Sequence, residues 1–497
     1  MLLAFVKAFS ILIISFLYWY LHVPWNFPKL PRIPFYVSIL GLWSDMGQDE
    51  IYERWLRKPL EKHGAVIIWF GGRWSILAIR SDLLTDMFRN DDVYTKAGSQ
   101  LRTPWSVIAT LVGDNIITAH GDTWRLYTSI MKPGMQKKTF DTQPTLNKSR
   151  RFVDKLLEQQ KDAGNGTSIL VNSYVQRYCV DVMGENFLDL DFQSLEKPEG
   201  SVLLEAIQST IKRTIFRPLF FNFPHLDMFP WLFSSRKEAY RIMHEFDDTL
   251  YHTVRDNLDR RRERGQNTVD MVAHMLEEAY NDGRITEKQF RDNLKITFLT
   301  AHENAQQLMN STFWVLGKEK TIQDRLRAEI LQTNTTIPTA DIVNRLPFLT
   351  STLFELLRLY PPVSQLINRV TLRPAVLGGE IPIPARTFVG WNARGVHINP
   401  ANWGEDAGEF RPQRWGKTVE EMHAKFRRET VRGTYIPFNA HTRKCLGQGF
   451  VLLQMKILLF ELLRRVEWTV DPSYKLKLTS GGIFAPLGCR VILKGLE

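Results

Sequence analysis

The chain has 497 residues, of which 44% are hydrophobic and 12% aromatic, so it can bury a sizeable core and is not intrinsically disordered. Its formal net charge of +11 suits an anionic membrane surface or an acidic protein partner, and no basic–aromatic motif for nucleic acid accompanies that charge. Cys179, Cys445 and Cys489 are too few for a disulfide framework and favour a reducing compartment.

The first predicted element is a transmembrane anchor over residues 1–23. This run is apolar except for Lys7, hydroxyl residues and His22, and as a helix it would extend roughly 33 Å, about one bilayer core. A cleaved signal peptide is the competing interpretation, but bulky aromatic residues occupy the place of its cleavage site. Residues 24–34 follow as a proline-rich linker whose cations favour a cytosolic catalytic domain over residues 35–497.

The elements that follow are mainly helical. Residues 65–81 hold apolar strands around a Gly-Gly pair and predict a β-hairpin. Thr286 and Gln289 have capping-box spacing and predict the start of a long helix. Further elements are helices over 345–359 and 447–465 and short strands within 378–392. The predicted class is mainly α with small β-sheets.

The segment 211–235 has six Phe, one Trp and three Pro. Two interpretations remain open at this point. The segment is either a loop that faces the core or an apolar lip that dips into a membrane around a substrate entrance.

The long central helix has a polar trio within an apolar stretch. His302 and Glu303 begin a pattern close to the zinc motif H-E-x-x-H, which needs a second His four residues after the first. That position is Gln306, and a neutral amide is a poor zinc ligand. The pattern therefore excludes a zinc site of this kind.

A lone cysteine near the start of an apolar helix is the strongest chemical signal. The helix N-terminus directs N–H groups at the sulfur and favours a thiolate at Cys445. A single thiolate suits a metal that another group already holds, such as haem iron. A structural buried cysteine is the alternative, but Phe438, Arg443, Cys445 and Gly447 follow the order F-x-x-x-x-R-x-C-x-G.

On these residues the chain resembles the cytochrome P450 superfamily, whose haem loop reads F-x-x-G-x-R-x-C-x-G. It departs from that pattern at His441, where the family usually has Gly. Glu355 and Arg358 match the family's E-x-x-R helix, and Arg414 takes the place of the Arg that completes a buried Glu-Arg-Arg network. The resemblance implies the cytochrome P450 fold, a large helical bundle with small sheets behind an N-terminal transmembrane helix.

The resemblance also implies which residues hold heme b. Cys445 would be the axial thiolate, and Gly447 would let the backbone approach the ring. Arg443 and Arg369 would pair with the haem propionates, since a guanidinium fork suits carboxylates. Phe438 and Trp124 are the further cofactor-binding residues.

One expected propionate contact is missing from the sequence. In the family, the helix that carries the Trp has an Arg four residues later, where this chain has Thr128. Arg125 is the nearest substitute, although it would point about 60° away in the helix.

The resemblance aligns the central helix with the family's oxygen-activating motif. Ala301 takes the place of a small residue that leaves room for oxygen, and Glu303 fits the acid of a proton relay. Asn304 replaces the usual Thr, and an amide can donate a hydrogen bond but relays protons poorly. We therefore predict that proton delivery depends on Glu303 and water; the alternative for Asn304 is a side chain bonded to helix backbone.

A narrower resemblance is carried by the stretches NFPKLPRIPFYV, FGGRWSIL, GDNIIT, AHEN and PPVSQLINRVT. This resemblance is to the fungal cytochromes P450 that form dityrosine by oxidising N-formyltyrosine. It implies a fungal monooxygenase of the endoplasmic reticulum membrane that uses O2 and NADPH-cytochrome P450 reductase on a small hydrophobic or aromatic, amino-acid-derived metabolite, in secondary metabolism. One alternative is oxidative coupling, isomerisation or dehydration without net oxygen insertion. Another is a haem-binding protein without enzymatic activity, against which Glu303 argues.

Overall fold

The computed structural model describes residues 7, 10, 11, 15, 17–44, 46–197, 214, 217–266 and 270–496. Much of the predicted anchor over residues 1–23 and the start of the 211–235 segment therefore lie outside the described residues. Among the described helices, none combines the length and apolarity that a bilayer crossing requires.

Helices form most of the molecule. They are α1 (Phe35–Trp43), α2 (Gln48–Ile51), α3 (Arg57–His63), α4 (Ser81–Arg89), α5 (Ser99–Arg102), α6 (Val107–Val112), α7 (Gly121–Met135), α8 (Gln143–Ala163), α9 (Asn172–Met183), α10 (Pro218–Asn222), α11 (Ser234–Glu263), α12 (Val272–Asn281), α13 (Glu287–Lys318), α14 (Lys320–Leu331), α15 (Ala340–Asn344), α16 (Pro347–Leu359), α17 (Ala393–His397), α18 (Pro400–Trp403), α19 (Val419–Val431) and α20 (Gln448–Arg465). Two π-helical turns, Tyr52–Leu56 and Gly184–Leu188, and four 3₁₀ turns, Pro224–Met228, Pro230–Leu232, Pro412–Trp415 and His441–Arg443, complete the helical elements described.

The strands form small sheets. They are β1 (Ala65–Trp69), β2 (Trp74–Ala78), β3 (Tyr94–Lys96), β4 (Ile169–Leu170), β5 (Gln365–Thr371), β6 (Ala375–Leu377), β7 (Ile381–Ile383), β8 (Phe388–Asn392), β9 (Val466–Val470) and β10 (Arg490–Gly495). The five-stranded sheet has the order β1-β2-β8-β5-β3, and the others are β4-β10-β9 and β6-β7. The predicted hairpin over 65–81 is confirmed, with Ile67 opposite Ile76.

The long helix α13 organises the core. It begins at the predicted capping box, in which Thr286 and Gln289 satisfy each other's N–H groups. It packs against α9, α11, α12, α16 and α20, so most of its length is buried. Helix α13 is therefore a core helix although it contains polar as well as apolar residues. The predicted class, mainly helical with small sheets, is confirmed.

Candidate active site

Cys445 lies on the loop that leads into α20, as predicted. Its N–H donates to the Phe438 carbonyl over 2.9 Å, which closes the loop on itself. The N–H groups of Gly447 and Gln448 donate to the sulfur. A Cβ on Gly447 would meet only the Cys445 sulfur, at 4.0 Å, so the backbone on this side stays open to a flat ligand.

The Cys445 thiol differs in its exposure from the thiols of the other two cysteines. Cys179 and Cys489 are buried, whereas Cys445 keeps exposed surface. Cys445 is nevertheless deep among protein atoms, and burial raises the pKa of its thiol, while the two N–H donors and Lys444 lower that pKa. A metal bound at this accessible sulfur would convert the thiol to a thiolate.

His441 explains why the family usually has Gly at this place. Its φ is 56°, in the left-handed region that only Gly adopts at no cost. We expect His441→Gly to raise the free energy of unfolding by about 1 kcal/mol, as measured by denaturant titration. His441→Ala is the control, because Ala has the same Cβ and pays the same backbone cost. Equal gains from both variants would contradict the explanation.

A cluster of buried cations lies beside the loop. Arg369 donates through Nη1 to Asp91 over 2.8 Å and to the Tyr94 carbonyl over 2.7 Å. Arg443 Nε lies 3.4 Å from Asp91, and its guanidinium stacks on Trp124 with Cζ 4.4 Å from the ring centroid. The predicted residues Arg369, Arg443 and Trp124 thus meet, and both arginines converge on one acid.

Lys96 is a third cation of this cluster, which sequence reasoning missed. Its Nζ donates to Asn368 Oδ1 over 3.1 Å. Burial, followed by the charges of Arg369 and Arg443, lowers the pKa of Lys96. In the sequence, Lys96 is only a single Lys in a short segment. Its position opposite Arg369 in the sheet reveals the cluster.

The charge balance of the cluster fits haem. Among the described residues, three buried basic side chains face the single carboxylate Asp91, and Nε and Nη2 of Arg369 are buried without a hydrogen-bond acceptor. A group with two carboxylates would neutralise the excess and accept from these donors. The residues present therefore fit the propionates of haem.

Arg125 does not supply the missing contact. It pairs with Asp122 at the surface over 2.6 Å, and its side chain is 73% exposed. Thr128 Oγ1 is buried without a partner and offers no charge. Lys96, from a different element, is the third basic side chain of the cluster.

The predicted network around Glu355 is fully formed. Arg358 donates to both Glu355 oxygens, over 2.9 and 2.8 Å, and Arg414 donates to Oε1 over 2.8 Å. Trp415 Nε1 and the Arg411 N–H also donate to Glu355. Glu355 and Arg358 are both 0% exposed, so the pair is a buried structural network and not a surface ion pair.

His397 joins this network to the cysteine loop. Its Nδ1 lies 3.0 Å from the Arg358 carbonyl, and its Nε2 accepts from the Ile436 N–H over 2.8 Å. Acceptance at Nε2 requires a neutral imidazole. Burial accordingly lowers the pKa of His397 to about 3.

We expect the folded protein to become less stable at low pH because of His397. The unfolded imidazole binds a proton below pH 6.5, whereas the folded one stays neutral until about pH 3. The contribution of His397 to the free energy of unfolding is therefore fully present above pH 6.5. It decreases as the pH falls and is about 2 kcal/mol smaller at pH 5. Urea titrations from pH 8 to 5 will measure this slope, and His397→Gln should reduce it. An unchanged slope in the variant would contradict the assignment.

The central helix places the polar trio on different sides. His302 is buried against Phe298, with Nδ1 2.5 Å from the Phe298 carbonyl, so it is a packing residue. Ala301, Glu303 and Asn304 are half-buried. Asn304 Nδ2 donates to the Thr300 carbonyl over 3.1 Å, whereas its Oδ1 is buried without a partner. The amide thus bonds to the helix and keeps one free acceptor.

Comparison with known proteins agrees with this geometry. The cytochrome P450 family model matches residues 28–486. The chain is 72% identical to cytochrome P450 monooxygenase xanG of Aspergillus fumigatus over 98% of this chain and 91% of that protein. It is 36% identical to cytochrome P450-DIT2 of Saccharomyces cerevisiae over 94% and 93%, which confirms the narrower resemblance.

A solved structure supports the fold independently. The cytochrome P450DA heme domain superposes with a TM-score of 0.76 at 18% identity, covering 95% of this chain and 99% of that one. Members of the matched family hold haem iron through a cysteine thiolate. The chain therefore belongs to the cytochrome P450 family and is a haem-thiolate oxidoreductase of the monooxygenase type.

Proposed function

We propose that this protein is a membrane-anchored monooxygenase in which Cys445 is the axial ligand of heme b. The observation that carries the proposal is the accessible thiol of Cys445 beside a cluster of basic side chains that outnumber their one carboxylate, Asp91, among the described residues. Arg369, Arg443 and Lys96 would hold the propionates, and Trp124 would keep Arg443 in place by stacking. Phe438 holds the loop closed through its carbonyl, and Gly447 leaves room for the ring.

Haem bound there supplies the redox chemistry that activates O2 with electrons from a reductase. The chain itself orients the ligands and excludes water. The Glu355–Arg358–Arg414 network, together with His397, fixes the cysteine loop against the core, which gives the sulfur a constant position. Residues 35–497 form the catalytic domain in this proposal, residues 24–34 its linker and residues 1–23 its anchor.

The proposed substrate is a small hydrophobic or aromatic, tyrosine- or other amino-acid-derived metabolite of fungal secondary metabolism. Its support is the similarity to the dityrosine-forming group and the rings of Phe221, Trp105 and His225 that lie near the β1–β2 turn. The test is to incubate the holoenzyme with NADPH, NADPH-cytochrome P450 reductase, an aromatic substrate and isotope-labelled O2. Label in the product supports oxygen insertion.

Oxidative coupling without oxygen insertion is the second candidate function. The observation in its favour is Asn304, which takes the place of the family's hydroxyl residue. In the same incubation, NADPH-dependent product without label would support coupling, and product without NADPH consumption would support isomerisation or dehydration.

We expect Glu303→Ala to lower the fraction of electrons that reach product by about 100-fold, the lower end of what a positioned proton donor contributes. Asn304→Thr should restore a hydroxyl and change that fraction little. The measurement is product formed per NADPH consumed, with Glu319→Ala, an exposed acid just after the same helix, as control. If neither Glu303→Ala nor Asn304→Thr changes this ratio, the proposal that Glu303 delivers protons is wrong.

The proposed location is the endoplasmic reticulum membrane, with the catalytic domain in the cytosol. Helices α10 and α1 pack together, and this side exposes large apolar side chains, among them Leu219, Trp231, Leu40 and Trp43. Such a surface supports a lip that contacts lipid. Release of the full-length protein from membranes by alkaline carbonate would overturn the proposed anchor.

The proposed electron donor docks on the cysteine side. Lys444, Arg427, Arg428 and Arg432 are all exposed there, although Arg428 also pairs with Glu429 over 2.9 Å. An acidic reductase would be steered to such a surface in a salt-dependent manner.

A further inference from the structure

Two arginines share the ring of Phe388. Arg73 follows the glycine pair of the β1–β2 turn and places Cζ 4.3 Å from the ring centroid, and Arg102 at the end of α5 places Cζ 5.1 Å from it. Among the described residues, neither arginine has a carboxylate within ion-pair distance. The ionisable groups that act on them are Tyr20 for Arg73 and Arg73 itself for Arg102.

The guanidinium donors of this pair are poorly satisfied. Nε of Arg73 and Nε of Arg102 are both buried without an acceptor. Their other contacts are long, 3.5 Å from Arg73 Nη2 to the Gly71 carbonyl and 3.4 Å from Arg102 Nη2 to Ser99 Oγ. Burial lowers the pKa of Arg73 to about 10 and that of Arg102 to about 9. Both side chains are half-buried, and two like charges at one ring without an acid among the described residues point to an anion that joins them.

The pair lies under the aromatic segment that follows residue 217. A Cβ on Gly72 would stand 2.5 Å from Pro224, so the turn packs directly against that segment. Phe70 and Phe221 pack with centroids 5.3 Å apart, and Trp105 lies 5.5 Å from His225. The arginines are therefore close to aromatic side chains at the edge of the molecule that carries the exposed apolar surface.

This pair is distinct from the cations assigned to haem. Phe388 is opposite Val370 and Arg369 is opposite Val389, and successive strand side chains point to opposite faces of the sheet. The charges that shift the pKa of Lys96 are those of Arg369, Arg443 and Asp91, and Arg102 is not among them. The propionates are thus not the natural partner of Arg73 and Arg102.

We propose that Arg73 and Arg102 bind the carboxylate of the substrate, so that the enzyme takes small aromatic carboxylic acids. The inference rests on the proposed function, since it names the chemical class of that function's substrate. The paired guanidinium groups supply charge and donors for the carboxylate, and the neighbouring rings receive the apolar part of the molecule. The carboxylate remains unchanged and serves only to hold the substrate.

The test compares aromatic acids with their uncharged amides on the holoenzyme. Calorimetric titration with N-acetyl-L-tyrosine, 3-phenylpropanoate and indole-3-acetate, each beside its amide, should show at least one acid that binds about 10-fold more tightly than its amide. Arg73→Gln and Arg102→Gln should each abolish that preference. Arg373→Gln is the control. It removes an exposed arginine just after β5 and should preserve the preference for the acid over its amide.

A second measurement separates binding from a structural role. Without ligand, Arg73→Gln and Arg102→Gln should unfold at the same temperature as the wild type or higher, because each removes one of two half-buried like charges that no acid among the described residues neutralises. A lower unfolding temperature in both, or no acid that binds more tightly than its amide, would overturn the inference. Loss of haem from Arg102→Gln would also overturn it, since the arginine would then serve the cofactor.

The two levels of proposal fail in different ways. The spectrum of the reduced carbon monoxide complex reports the haem-thiolate centre and is recorded for each variant first. Its absence in the wild type contradicts the proposed function, whereas an intact spectrum with equal affinity for acid and amide contradicts only the carboxylate site.

Discussion

Cys445→Ser will abolish the red-shifted band of the reduced carbon monoxide complex and reduce NADPH-dependent product formation to background. The reason is that Cys445 is the only one of the three cysteines that is exposed, and a serine hydroxyl is a far weaker anionic ligand. The measurement is the carbon monoxide difference spectrum, together with haem content per chain.

Cys179→Ser is the matched control for this experiment. Cys179 is buried, with its sulfur 3.4 Å from that of Met309 in the packed core. Burial raises the pKa of its thiol, so this sulfur is an inert packing group. The control should keep the thiolate band. An unchanged band in Cys445→Ser would contradict the assignment of the axial ligand.

Glu355→Gln will lower the free energy of unfolding by about 3–5 kcal/mol, the effect of breaking a buried ion pair. Arg358 is 0% exposed and Arg414 is 10% exposed, and both would lose their acid. Because Arg358 also donates to the carbonyls of His397 and Ala407, the loss extends to the cysteine loop. Urea titration followed by tryptophan fluorescence and by haem absorbance will measure both effects.

Glu238→Gln provides the comparison. Glu238 and Arg241 form an ion pair of similar length, 2.7 Å, but their side chains are 53% and 61% exposed. Solvent screening leaves such an exposed pair with little effect on stability. Equal losses in Glu238→Gln and Glu355→Gln would show that the buried network contributes no more than a surface pair.

Much of the catalytic centre could be predicted from short stretches of sequence. The order of Phe438, Arg443, Cys445 and Gly447 placed the ligand loop before α20, and the capping residues placed the start of α13. These signals are local, because hydrogen bonds at a helix start and the closure of a short loop involve residues within about ten positions of each other.

Arg125 shows where such reasoning fails. Its position beside Thr128 suggested a substitute for the missing arginine, but the helix directs it to the surface. The third basic side chain of the cluster, Lys96, comes from a strand that pairs with the strand of Arg369, more than 270 residues away in the chain. Sequence proximity carries no information about which charges meet across a sheet.

The sequence by itself determined the chemistry of this protein: a single cysteine in a P450 haem loop, an acid on the central helix and an apolar, aromatic-rich chain. Only the tertiary structure decided which cations converge, that His397 must stay neutral, and that Arg73 and Arg102 share one ring with no ion-paired acid among the described residues. The physical reason is that charge balance and burial are properties of the folded assembly, since they depend on contacts between residues hundreds of positions apart.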